Sequence, residues 1–179
     1  MGFIKQWLPY VLAGISAGGQ YALIAIGYTM VYGILRLINF AHGDIFMVAG
    51  LMMVYLSASM PLYVSIPVVI VLTVVLGFVI ERCAYKPLRQ APRMSVMISA
   101  IGVSYLLQNL AYYLTGGVPK QYPQLPWISD PIMILGASTK RITILTPVLT
   151  LVLVVVLVML IKKTKIGMAM RAASKDFET

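Results

Sequence analysis

Five long stretches of apolar residues run along the chain, and shorter polar segments separate them. A helix needs about 20 mostly apolar residues to cross the roughly 30 Å hydrocarbon layer of a membrane. Four stretches are close to this length, whereas the second is short unless the polar residues before it also lie at membrane depth. The pattern predicts an all-α, polytopic membrane protein. The predicted spans are residues 8–34, 45–59, 62–80, 94–115 and 144–161.

The composition agrees with a membrane location. Of the 179 residues, 60% are hydrophobic and only 11% are charged, and the mean hydropathy is +0.92. Soluble domains carry roughly a quarter charged residues. The net charge is +9, but the basic residues cluster at the ends of apolar runs, which argues against a nucleic-acid-binding face. Cys83 is the only cysteine, so an intrachain disulfide is excluded.

The distribution of basic residues predicts the orientation of the spans. Lysine and arginine are in excess in cytoplasmic loops. Arg36, the segment 81–93 and the tail 162–179 contribute one, four and five basic residues, and the connections on the other side contribute four. We therefore expect the N-terminus outside, a transmembrane region over residues 1–161 and a cytoplasmic tail over residues 162–179.

Rare polar residues gather between the first two spans. The stretch RLINFAHGD, residues 36–44, contains Asn39, His42, Gly43 and Asp44. His42 is the only histidine, and a catalytic zinc site normally uses three protein ligands, so we expect no metal and no catalytic residue here. One interpretation is a cytoplasmic turn in which Asn39 or Asp44 caps the second helix. The alternative is a helix break at membrane depth, where transporters meet their substrates.

Two spans have faces of distinctive composition. In the first span, small residues recur every three or four positions and share one face, which predicts close packing against other helices. They include Gly14, Gly18 and Ala22. In the fourth span, polar residues that include Ser99 and Asn109 share a face. These predict either hydrogen bonds between helices or the lining of a pathway.

Two stretches of the chain resemble a known family. Residues 21–50, YALIAIGYTMVYGILRLINFAHGDIFMVAG, resemble the signature region of the LivH-type permeases, which are membrane subunits of bacterial ABC importers for branched-chain amino acids. Residues 162–179, KKTKIGMAMRAASKDFET, resemble the start of that family's ATPase-contacting cytoplasmic loop. The resemblance implies a permease in the bacterial inner membrane with no enzymatic activity of its own. The substrate-pathway residues expected from their polarity are Asn39, His42, Gly43, Asp44, Ser99 and Asn109.

The resemblance also implies several partners. These are a second related permease subunit, two ATPase subunits and a periplasmic amino-acid-binding protein, in addition to membrane lipid. The chain lacks the G-x-x-x-x-G-K-[ST] phosphate loop, so we expect ATP on the ATPase subunits and no cofactor on this chain. Family permeases continue with further spans, and the chain is therefore expected to be the N-terminal part of a longer permease.

The tail predicts a short helix that docks onto the ATPase. Its alanine and methionine residues are good helix formers or apolar contacts, and they leave charged residues on the opposite side. The expected coupling residues are Arg171, Ala172, Ala173, Lys175 and Asp176. The alternative is a basic tail held at anionic lipid.

The alternative function is a secondary amino-acid transporter with a broken first helix. Such a transporter needs ionisable groups within its spans to couple an ion gradient. Only Asp44 and Glu81 lie near, and both fall at the ends of spans. Co-purification of ATPase subunits distinguishes the importer from this alternative.

Cysteine labelling tests the predicted orientation. In the full-length protein with Cys83→Ser, a cysteine at Ser59 is expected to react with a membrane-impermeant reagent added to the periplasmic side. A cysteine at Gln90 is expected to stay unreacted until the membrane is opened. The reverse pattern would show that the orientation is inverted.

Overall fold

The structure is a computed structural model that describes residues 2–35, 38–88, 90–122, 126–134 and 137–175. Helices dominate it, and two short strands form a hairpin. The elements are α1 (Gly2–Leu35), α2 (His42–Ser59), α3 (Leu62–Ile80), α4 (Arg93–Thr115), α5 (Pro126–Ser129), β1 (Pro131–Ile134), β2 (Ala137–Lys140), α6 (Arg141–Lys163) and α7 (Lys165–Lys175). A π-helical turn, Glu81–Tyr85, and a 3-10 turn, Lys86–Leu88, continue α3.

Five of the described helices are long and apolar enough to cross a membrane: α1, α2, α3 with its continuation to Leu88, α4 and α6. This confirms the predicted all-α, multi-pass fold. The predicted second span, residues 45–59, is three residues shorter at its start than α2, which begins at His42. Large apolar side chains are exposed along these helices, for example Val74, Leu106 and Leu151. In a membrane these side chains can face lipid. Lipid is as apolar as they are, so there is no hydrophobic driving force to bury them within one chain.

The segment before α6 contains structure that the sequence analysis does not predict. Its prolines exclude one continuous helix, and α5 and an antiparallel β1–β2 hairpin form there. Pro131 lies opposite Lys140, and Ile134 lies opposite Ala137. Proline is tolerated at the first residue of a strand, where Pro131 stands. Strands of four residues are too short to show an alternating pattern in the sequence, so the hairpin is not apparent from it.

The chain divides into two compact units. One contains α2, α3 with its two turns, and α4; the other contains α1, α5, the hairpin, α6 and α7. In the first unit, α2 packs against both α3 and α4. The buried side of α4 is formed by residues spaced three or four positions apart or by multiples of that spacing: Val96, Ala100, Leu107 and Ala111. In the second unit, α1 packs along α6, and α7 contacts both of these helices.

The small-residue face of α1 is not covered by the described residues of its own unit. Gly14, Gly18 and Ala22 are exposed, and a methyl group added at either glycine would meet nothing within 4 Å. The close approach to α6 is made by Gly19 instead, where an added Cβ would lie 3.3 Å from the Thr150 hydroxyl. Neighbouring positions on a helix point about 100° apart, so the face predicted from Gly14 and Gly18 differs from the face that contacts α6. Packing of that face against other helices stays a prediction.

A matched pair of glycine substitutions separates these two faces. Gly19→Leu in the full-length protein is expected to lower the free energy of unfolding by about 1–3 kcal/mol, because a bulky side chain forces α1 and α6 apart. Gly18→Leu is expected to lower it by less than Gly19→Leu does, because no described atom lies within 4 Å of a Cβ added at Gly18. Thermal unfolding of the purified protein in detergent measures both. Equal destabilisation by the two substitutions would contradict the packing described here.

Candidate functional site

Helix α2 starts from an irregular segment that is held by Asn39. The Asn39 side-chain oxygen accepts the backbone N–H of Ala41 at 3.1 Å and the hydroxyl of Tyr85 at 2.7 Å. Tyr85 lies in the π-helical turn after α3, so this bond ties the segment to a neighbouring helix of the same unit. Ala41 is fully buried, with 0% of its surface exposed. The segment is therefore packed against protein.

The capping interpretation of Asn39 and Asp44 is wrong. The residue that precedes the first turn of α2 is Ala41, and no side chain caps this helix. Asn39 instead makes a local turn with the backbone two residues ahead, which is a common use of asparagine outside helices. Asp44 lies inside the first turn, where a carboxylate is favoured by the positive end of the helix dipole.

Asp44 is bound by two side chains from α4. Its carboxylate accepts a hydrogen bond from the hydroxyl of Ser104 and one of 3.0 Å from the amide nitrogen of Gln108. Gln108 also donates to the Ser104 hydroxyl oxygen at 3.1 Å. Asp44 is 9% exposed, so these bonds replace much of the hydration that a carboxylate has in water. We call Asp44, Ser104 and Gln108 the polar triad.

The polar triad lies level with the middle of α4. Ser104 is the central residue of this 23-residue helix, roughly 17 Å from either end at 1.5 Å per residue. Asp44, by contrast, lies in the first turn of α2. Helix α2 therefore begins about halfway along α4. The irregular segment before α2 lies beside the N-terminal half of α4.

A second irregular segment approaches α2 from the other end of α4. Gly116 and Gly117 adopt positive φ angles of 65° and 71°, which glycine reaches without steric cost. After this turn, the Tyr122 hydroxyl donates to the backbone carbonyl of Gly50 at 3.2 Å. Gly50 is inside α2, eight residues beyond His42. The chain after α4 therefore turns back along α2.

The remaining predicted pathway residues do not join the polar triad. His42 is the half-buried first residue of α2, and Gly43 is exposed beside it. Ser99 donates to the Ala84 carbonyl in the π-helical turn at 3.1 Å. Asn109 is exposed and donates to the Tyr105 carbonyl of its own helix at 2.7 Å. The polar face predicted from Ser99 and Asn109 is therefore not the face that meets α2.

Two members of the polar triad, Ser104 and Gln108, are missing from the sequence prediction. They are spaced four residues apart and so share a face of α4. That face otherwise carries buried apolar residues such as Ala100 and Leu107. The two polar residues therefore do not stand out in the sequence as a polar face of their own. The signal that could have found them is a pair of hydrogen-bond donors four residues apart within one span. A single acidic residue near another span, whose carboxylate needs donors, completes it.

The predicted coupling residues lie in or beyond α7. Arg171 and Ala172 are exposed on this helix, and one Arg171 nitrogen donates to the Lys162 carbonyl at 3.4 Å. Ala173 and Lys175 lie in the same helix. Asp176 lies outside the described residues. The tail is thus helical from Lys165 to Lys175.

Comparison with known proteins identifies the family. The family model described as "Branched-chain amino acid transport system / permease component" matches residues 10–179. The chain belongs to this family. It is 35% identical over 189 residues to the high-affinity branched-chain amino acid transport system permease protein BraD of Pseudomonas aeruginosa, covering 98% of the chain and 61% of the relative. No solved structure matches the chain significantly.

The permease protein LivH of the corresponding high-affinity system is similar to the same degree. LivH from Escherichia coli strain K12 and LivH from Salmonella typhimurium are each 35% identical over 185 residues, covering 96% of the chain and 60% of the relative. The chain thus spans about three fifths of the length of these curated relatives.

The polar triad can be tested by removing one donor. Gln108→Ala in the full-length protein is expected to cost about 0.6–2 kcal/mol of unfolding free energy, the range for hydrogen bonds between membrane helices. Asn109→Ala is the matched control, because among the described residues the Asn109 side chain bonds only to the Tyr105 carbonyl of its own helix. We expect a change close to zero. Unfolding in detergent measures both. A double-mutant cycle of Gln108→Ala with Asp44→Ala then isolates the coupling; additive effects would contradict the bond.

Proposed function

We propose that the chain works as a permease subunit of an ABC importer that carries branched-chain amino acids across the bacterial inner membrane. Family membership supports this, as does the similarity to the branched-chain amino acid permease proteins BraD and LivH. The observation that carries the proposal is the polar triad, because it sets a buried carboxylate beside a helix start at the level of the middle of a membrane-spanning helix. Irregular backbone at such depth is tolerated where it is buried in protein or lines a cavity.

The chemistry of the segment suits an amino acid. A branched-chain substrate has an ammonium group, a carboxylate and an aliphatic side chain. In our proposal, Asp44 attracts the ammonium group, and Asn39, His42 and the backbone around Gly43 contact the polar end as it passes. The apolar faces of the spans accommodate the side chain. Ser99 and Asn109 stay proposed pathway residues with less support, since neither contacts the triad.

The proposed assembly divides the work among several chains. A second related permease subunit completes the pathway, two ATPase subunits bind and hydrolyse ATP, and a periplasmic binding protein delivers the amino acid. Helix α7 is the proposed ATPase-docking element, through Arg171, Ala172, Ala173 and Lys175, with Asp176 beyond it. No nucleic acid and no cofactor on this chain enter the proposal.

The proposed orientation places the N-terminus in the periplasm and α7 in the cytoplasm. It rests on the excess of basic residues in the tail and in the connection after α3. It also puts α7 on the side of the membrane where ATP is available to the ATPase subunits. The irregular segment before α2 then lies between the cytoplasmic surface and the middle of the membrane.

Uptake into proteoliposomes tests the function. The full-length protein is assembled with its partner subunits, with ATP inside and the binding protein and radioactive leucine outside. Uptake is expected to require ATP. Asp44→Asn is expected to slow it about tenfold, which corresponds to about 1.4 kcal/mol, because the substitution removes the charge and keeps the size of the side chain. Ile98→Leu, at an exposed apolar position of α4, is the control and should transport normally.

Two results would count against the proposal. Uptake that follows an ion gradient and ignores ATP would favour the alternative function, a secondary amino-acid transporter. ATP-dependent uptake that is unchanged by Asp44→Asn would keep the importer and remove Asp44 from the pathway.

A further inference from the structure

The connection between α6 and α7 consists of one residue, Thr164, and its polar atoms are engaged on both sides. Its backbone N–H donates to the Leu160 carbonyl at 3.1 Å, and its hydroxyl donates to the same carbonyl. The hydroxyl oxygen also accepts the N–H of Gly167 at 3.1 Å, and its carbonyl accepts the N–H of Met168 at 3.0 Å. Thr164 thus binds one carbonyl in the last turn of α6, that of Leu160, and caps the start of α7.

Gly167 brings the backbones of the two helices into direct contact. It is buried in the first turn of α7. A Cβ at this position would overlap the backbone of Ile161, reaching 2.5 Å from its Cα atom. Backbone atoms cannot rotate aside as a flexible side chain can, so no residue with a side chain fits without moving one helix. The first turn of α7 therefore rests on the last turns of α6 with no room between them.

A further hydrogen bond lies farther along α7. The Arg171 guanidinium donates to the Lys162 carbonyl at 3.4 Å, which is one of the carbonyls at the end of α6 without a partner inside that helix. A positive charge is also favoured at the negative end of a helix dipole. We call the region from Leu160 to Arg171 the α6–α7 corner. Its hydrogen bonds extend from Leu160, in the last turn of α6, to Arg171, in the second turn of α7.

We propose that the α6–α7 corner is rigid and makes α7 and the fifth span, α6, move as one body when the ATPase acts on α7. Thr164 and Gly167 are the positioning residues of this coupling. The inference rests on the proposed function, because the docking of an ATPase onto α7 belongs to that proposal. It adds which span receives the motion, and why the motion is not absorbed at the connection.

The physical argument concerns where a hinge can form. A hinge needs residues whose φ and ψ angles can change without losing bonds. At the corner, the single linking residue is held at four polar contacts, and the Gly167 backbone contact blocks closure. Helix α6 has 23 residues and is about 34 Å long. A rotation of about 5° at the corner then moves its far end by about 3 Å.

The neighbouring helix α1 also takes part. It contacts α7 and packs along α6 within the same unit, with Gly19 against Thr150. Helix α1 therefore lies against both of the helices that meet at the corner.

A distance measurement tests the rigidity without reference to transport. Spin labels are placed on α6 at Leu149→Cys and on α7 at Met168→Cys, both exposed positions, in the full-length protein with Cys83→Ser. Pulsed electron paramagnetic resonance in lipid nanodiscs then gives the distance distribution. A narrow distribution is expected for the otherwise unchanged protein and for Thr164→Ser, which keeps the hydroxyl. A clearly broader one is expected for Thr164→Val and for Gly167→Ala.

The same variants, without labels, are then compared in the assembled transporter. Thr164→Val and Gly167→Ala are expected to keep ATP hydrolysis and to lower the number of leucine molecules carried per ATP about tenfold. Thr164→Ser is expected to keep the ratio of leucine to ATP of the unchanged protein. A loss of folding would instead lower hydrolysis and transport together. Ala172→Asp, on the exposed side of α7, is expected to lose ATPase coupling while its label distance stays narrow.

The outcomes separate the two proposals. Distributions that stay narrow in both Thr164→Val and Gly167→Ala would overturn the rigid corner, as would broad distributions with an unchanged ratio of leucine to ATP. If the unchanged assembly carries no amino acid, the proposed function fails. The distances still decide in that case whether α7 and α6 form one body.

Discussion

A bilayer offers no water to polar groups, so each break in a membrane helix has to be satisfied by protein. This constraint explains the arrangement around α2. In the segment before this helix, the Asn39 side chain accepts hydrogen bonds from the backbone N–H of Ala41 and from the Tyr85 hydroxyl. One turn later, Asp44 receives donors from the middle of α4. Without these partners, an irregular segment at this depth would cost several kcal/mol for each unsatisfied group.

The general architecture could be predicted from the sequence because it depends on the length and polarity of segments. Five apolar stretches gave the five spans, and the polar cluster at residues 36–44 coincides with the interruption between α1 and α2. The short second span was informative, since α2 reaches back to include His42 and Asp44. Such features follow from composition along the chain and need no knowledge of neighbours in space.

The partners of individual side chains could not be predicted in the same way. Polar residues occur on more than one face of α4, and the offset between α2 and α4 decides which of them meet Asp44. That offset follows from packing and is not encoded in the periodicity of either helix. The same reason separates Gly18 from Gly19 on α1, where adjacent glycines occupy different faces and only Gly19 lies close to Thr150. The four-residue strands of the hairpin carry too little pattern to be recognised.

The segment before α2 and the α6–α7 corner differ in how easily they can rearrange. Around α2, the polar contacts that join different helices are side-chain hydrogen bonds, and such bonds in membrane proteins are worth about 0.6 kcal/mol on average. Such bonds can be exchanged for bonds to a passing ligand or to water at little cost. At the α6–α7 corner, backbone rests on backbone at Gly167, and overlap there rises steeply with any displacement. A protein that converts motion of α7 into access for a substrate needs both properties, a connection that does not yield and a polar segment that does. We therefore expect conformational change to concentrate at the segment before α2 and at the polar triad, while α6 and α7 keep their mutual geometry.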